Sequence, residues 1–242
     1  MAIDDVFSLI EPKPPQRGTA VIGGRPYTST EGVDERELES DAELAFAFRD
    51  AAKTISAKWY AVGTDDSPIL VVLYNYRHAL ELGLKAVIKA LIASLRFEDP
   101  KRELTTEQAT MLKRAREKHA LPLLVDDLAE LAEMFAIPFP EEVRAICQKI
   151  HDYDPDGQSF RYPEVKGKGK GAEPEAARRD PVYVDVGEFV RLADEAGAVL
   201  DGLLDRVHTM QQWQIGLGPE HEQEAFRQAI LARSKATEPD SS

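Results

Sequence analysis

A chain of 242 residues with 43 acidic against 30 basic side chains has a formal charge of −13. That balance argues against a broad nucleic-acid surface and confines any phosphate contact to a local basic patch. The hydrophobic share of 43% and the charged share of 30% suit a globular protein, no apolar run reaches the roughly 20 residues that span a bilayer, and the single cysteine, Cys147, excludes an internal disulfide and a thiolate zinc cluster.

Acids rather than Lys or Arg near the N-terminus speak against a secretory leader, so a cytoplasmic protein with no metal, no cofactor and no membrane contact is expected. Residues 1–38, rich in Pro and Gly from Pro12 to Pro26, read as a flexible, extended N-terminal arm, with a short hairpin across 19–22 and 26–28. From 39 to 62 Leu44, Phe48, Ala51, Ala52, Ile55 and Trp59 recur three or four apart and predict a helix. The next begins near Ser67 and Pro68, where serine can cap and proline fits the first turn, and runs to about 95. Its stripe of Leu73, Tyr76, Leu80, Leu84, Val87 and Leu91 marks the central element of a bundle. Helices follow over 105–118 and 121–135. Pro138 and Pro140 then break the chain, and Glu141 and Glu142 open a helix carrying Arg144 and His151. Residues 164–180 are a Gly/Lys-rich mobile loop, read as a solvated linker. A long helix over 186–213 carries Phe189, Leu192, Ala196, Val199, Leu203 and Val207 in register, and a C-terminal helix near 219–235 falls in a last segment, 217–242. The expected fold is all-α: an up-and-down helical bundle over 39–216, with the arm before it and the C-terminal helix after it.

Arg144 and His151 are seven residues apart, two helical turns, and would point nearly the same way. A permanent cation beside a titratable imidazole suits metal-free cleavage of a phosphodiester. The same two residues also read as a solvated helix rim. Arg77, Glu81 and Lys85, at i, i+4 and i+8 with His78 adjacent, form either a ladder of ion pairs or a polar group beside the core that awaits an anion or a partner chain; the ladder is favoured. His119, just before a short helix, suits an N-cap or an interhelical hydrogen bond. Asp154-Pro-Asp-Gly157 is turn chemistry, closely followed by Ser159 and Arg161. Arg161 could clamp a phosphate, but pinning the turn to Glu81 or Asp154 is favoured. Asp152 and Asp154 are a poor metal signature.

Three segments occur in order: residues 76–88 (YRHALELGLKAVI), 119–124 (HALPLL) and 159–163 (SFRYP). Together they resemble the HEPN superfamily, helical domains of higher eukaryotes and prokaryotes, over roughly residues 40–210. The resemblance implies a helical bundle, commonly a homodimer, that binds a nucleotide, RNA or a partner protein, in the setting of phage defence or toxin–antitoxin systems. Some members are metal-independent ribonucleases with an Arg-x4–6-His motif, which Arg144 and His151 match at its upper limit, paired across a dimer with Asp154 or Arg77 nearby. Ala145 departs from the polar residue that usually follows the arginine. Members with an Arg-Tyr-Pro turn, here Arg161, Tyr162 and Pro163, often bind nucleotides or accompany a nucleotidyltransferase without cleaving RNA. A binding module is therefore the leading expectation, and the ribonuclease the alternative.

Overall fold

The apolar stripe predicted over 67–95 becomes the axis of the larger of two units. The computed structural model describes residues 25–28, 34–37, 40–63, 65–95, 102–155, 157–165, 175–176 and 183–214. The chain divides into Met1–Ser40 and Asp41–Ser242. In the larger unit six helices are described: α1 (Asp41–Val62), α2 (Ser67–Ser94), α3 (Thr106–Glu117), α4 (Leu121–Met134), α5 (Glu141–Tyr153) and α6 (Val186–Gln214). This body is all-α, as its 3.6-residue periodicity predicts.

Val72, Tyr76, Leu80, Leu84, Ile88 and Leu91 of α2 are all fully buried or nearly so, and the other five helices all pack on this one. A helix enclosed on most sides by its neighbours is a bundle's centre. Its start differs in one detail from the sequence reading. Ser67 is not the cap; the Asp65 carboxylate accepts from the Ser67 backbone N–H at 3.0 Å and its hydroxyl at 2.8 Å. α3 opens with a capping box between Thr105 and Gln108, which satisfies two otherwise orphaned amides. α5 buries Val143, Ile146, Cys147 and Ile150, a stripe at i, i+3, i+4 and i+7 that leaves Arg144 and His151 half-buried beside it.

α6 buries Ala193, Ala196, Leu200, Leu203, Val207 and Met210 at alternating steps of three and four. Phe189, Leu192 and Val199, expected in the same stripe, flank it half-buried. Arg49 of α1, itself buried, pairs with Asp194 and Asp201 and so clamps α1 to α6, while Lys89 of α2 reaches Asp41 at 2.6 Å. Among the described residues no helix is long and apolar enough to cross a membrane.

Two short ladders accompany the helices. In the smaller unit β1 (Arg25–Thr28) pairs antiparallel with β2 (Asp34–Glu37), placing Tyr27 opposite Glu35. The predicted hairpin shared residues 26–28 but drew its partner from 19–22, which lies outside the described residues. Asp-Glu-Arg-Glu gives no strand signal because charged residues are depleted in strands. In the larger unit β3 (Glu164–Val165) pairs with β4 (Glu175–Ala176), so the ends of the Gly/Lys-rich loop are joined by a ladder. The helix predicted near 219–235 lies outside the described residues.

Candidate functional site

Helical spacing brings Arg77, Glu81 and Lys85 onto one stripe of α2, and the fold buries all three. Burying charges is tolerated only when every one is paired and hydrogen-bonded. Glu81 Oε2 accepts from Arg77 Nη1 at 3.0 Å and Oε1 from Lys85 Nζ at 2.7 Å. Arg77 Nε faces Asp154 Oδ2 at 3.2 Å, and its Nη2 donates to the His119 carbonyl at 2.9 Å. The favoured ion-pair ladder is present, but as a buried network rather than a surface decoration. Burial pushes the Glu81 carboxyl up, yet the hydrogen bonds from Lys85 and His119 outweigh it and leave the group below the usual glutamate range.

His119 Nδ1 lies 2.8 Å from Glu81 Oε1 while the side chain remains 62% exposed. The interhelical bond expected of His119 is therefore made, and the N-cap of α4 falls instead to Ala120. An ionised carboxylate can only accept, so Nδ1 carries the proton and Nε2 is the ring nitrogen left for a ligand.

The turn after α5 is locked to this network. Asp154 Oδ1 accepts from the Ser159 amide at 2.7 Å, and the Arg161 and Tyr162 amides both donate to the Gln158 carbonyl. Gly157 sits at φ +77°, and a Cβ there would lie 2.9 Å from Arg77 Nη1. The pinning arginine is therefore Arg77. Arg161, expected to pin the turn to Glu81 or Asp154, lies exposed instead, with its guanidinium 5.3 Å from the Tyr74 ring centre and 5.0 Å from that of Tyr162. Its Nη2 also donates to Tyr162 Oη at 2.9 Å. Behind Tyr74, His78 stacks at 5.7 Å and 10° and meets Phe48 edge-on at 4.5 Å. Burial pushes the His78 imidazole down; Glu81 opposes this, and Arg77, Lys85 and Arg161 reinforce it. Tyr74 and Phe48 were not among the sequence candidates. The signal that could have found Tyr74 is its i, i+4 relation to His78.

Arg144 and His151 share α5 but not a visible site. The Arg144 guanidinium is engaged by Asp126 and by Glu141 at 3.2 Å, and lies over Phe139. The groove beside it is lined by Pro122, Asp126, Glu141, Arg144, Ala145 and Gln148, and His151 is not part of that lining. His151 Nδ1 is buried with no hydrogen-bond partner among the described residues. Cys147, between them in sequence, is fully buried, and burial pushes its thiol up to about 12, so it is no nucleophile at neutral pH. No group of three or more His, Cys, Asp or Glu suited to a metal ion occurs among the described residues.

Comparison with known proteins finds no matching family model, curated protein or solved structure.

Proposed function

We propose that the chain is a HEPN-like helical binding module whose ligand is a nucleotide or an unpaired base of single-stranded RNA, taken on the surface formed by Tyr74, Tyr162 and Arg161. One observation carries this reading: an exposed arginine held between two tyrosine rings, on a turn that a buried ion network makes rigid. Bases stack on aromatic rings and on guanidinium planes, at about 1–3 kcal/mol per base. A rigid support matters because ordering a loop on binding consumes affinity. The setting proposed for such a module is prokaryotic phage defence or a toxin–antitoxin pair, with a second copy of the chain or a protein partner completing the assembly.

Fluorescence anisotropy with labelled single-stranded RNA, and calorimetry with nucleotides, test the reading. The expected result is saturable binding that weakens about tenfold or more in Arg161→Ala and Tyr162→Ala, the worth of one stacked base. Equal affinity in wild type and both variants contradicts it.

The ribonuclease reading has in its favour the Arg-x4–6-His spacing of Arg144 and His151 and the His151 Nδ1, buried with no hydrogen-bond partner among the described residues. The two carboxylates on Arg144 weigh against it, since they occupy the cation that would hold a phosphate. RNA incubated in EDTA with wild type, Arg144→Ala and His151→Ala separates the two. Cleavage lost in both variants supports the nuclease, and intact RNA with retained binding supports the module.

A further inference from the structure

The segment 113–119 (KRAREKH) is a local basic strip in an acidic protein, with Glu117 as its single acid. Arg114 is engaged by Asp127. Lys113, Arg116 and Lys118 are exposed and make no ion pair among the described residues. Cations at this place suit the negative end of the α3 dipole. That role does not account for His119 beside them, an imidazole oriented by a buried carboxylate on a side chain that is mostly exposed.

The charges facing His119 set what it can take. Glu81, Arg77 and Lys85 face it from α2, Asp154 stands behind Arg77, and Lys118 adjoins it at the end of α3. Arg77 and Lys85 balance Glu81 and Asp154, so a proton arriving on His119 is surplus positive charge at an exposed position. Glu81 accepts from Nδ1–H in both ring states. When the ring is neutral Nε2 offers a lone pair; when it is protonated Nε2 offers a second N–H, backed by the carboxylate. A phosphate oxygen selects the second state, through a charge-assisted hydrogen bond.

The position is also right. Tyr74 and Glu81 are seven residues apart on the same stripe of α2, roughly 10 Å along the axis. His119 stands over the second and Arg161 over the first. We propose that the α3–α4 corner is a phosphate subsite, in which the His119 Nε2–H, with Lys118 and Arg116, receives the phosphate of a ligand whose base stacks at Arg161 and Tyr162. The stacking of the base rests on the proposed binding module. The phosphate contact stands on the corner alone and is tested separately.

Calorimetry with inorganic phosphate, a nucleoside and its 5′-monophosphate as probes tests the contact. The expected result is saturable binding of phosphate and of the monophosphate. The monophosphate should bind about tenfold or more tightly than the nucleoside, the worth of one charge-assisted hydrogen bond. His119→Asn keeps a donor near the Nδ1 position for Glu81 and lacks Nε2. It should abolish phosphate binding and bring the monophosphate down to the nucleoside's affinity, and a thermal melt of the same variant checks its fold. Should that variant unfold, the Nε2 resonance of wild-type His119 under phosphate titration replaces it, and an unmoved resonance overturns the subsite. No binding of any phosphate-bearing probe overturns it as well. Phosphate bound while the nucleoside fails to bind removes the stacking surface and leaves the subsite standing.

Discussion

Arg77 and Arg161 carry the same guanidinium and meet opposite fates, and the difference is burial. Arg77 is 2% exposed, with its donors on Glu81, Asp154 and the His119 carbonyl. Removing it takes the guanidinium from both buried carboxylates and leaves Glu81 with Lys85 and His119, so Arg77→Ala should lower stability by about 3–5 kcal/mol in urea melts. Arg161→Ala, at an exposed site, should stay within about 0.5 kcal/mol in the same melts. The buried titratable groups also set the pH response. His78 is held below the ordinary histidine range in the fold, so its share of stability is full above about 6.5, the unfolded value, and is lost as pH falls from there through the lower folded value. His78→Phe keeps an aromatic ring against Tyr74 and Phe48 and should flatten that part of the stability curve. Glu81 acts lower down: it is depressed in the fold, so its share is present above about 4.3 and is lost as pH falls through its folded value. An unchanged decline below about pH 6.5 in His78→Phe would assign that window to another group.

At the scale of elements, the helices were legible and the connections between them were not. Leu73, Tyr76, Leu80, Leu84, Val87 and Leu91 announce α2 as the central helix by period alone, and all six are buried. The Arg77–Glu81–Lys85 spacing was equally legible, but i, i+4 pairs look the same on a surface and in a core. What buries these three comes from 38 and 77 residues away, at His119 and Asp154, and no local pattern encodes such distances. For the same reason the sequence points to Arg161 as the pin of the turn, whereas Arg77 holds it and Arg161 lies exposed beside Tyr74 and Tyr162. The α6 stripe is buried as read at Ala196, Leu203 and Val207, whereas the large Phe189 and Leu192 flank it and the close contacts at its start are made by Ala193 and by Arg49 against Gly197. The 154–163 turn offers a direct check. Gly157 combines a positive φ with contact to Arg77, so Gly157→Ala should cost about 1–3 kcal/mol by thermal or urea unfolding. A neutral substitution there would mean that Arg77 has room to move.

At the scale of the molecule, 13 surplus negative charges mean that the proposed function rests on stacking and one or two phosphate contacts rather than on a broad basic surface. The salt dependence of RNA binding should therefore be shallow, with log K falling against log salt with a slope of about −0.7 to −1.4, where many phosphate contacts would make it far steeper. Photo-crosslinking of a 4-thiouridine-substituted single-stranded RNA, with mass spectrometry of the adduct, tests the central claim most directly. Adducts on Tyr74, Tyr162 or the peptide joining Ser159 to Pro163, competed away by free nucleotide, are the predicted result. Adducts confined to α5 around Arg144 and His151, or none at saturating RNA, would contradict it.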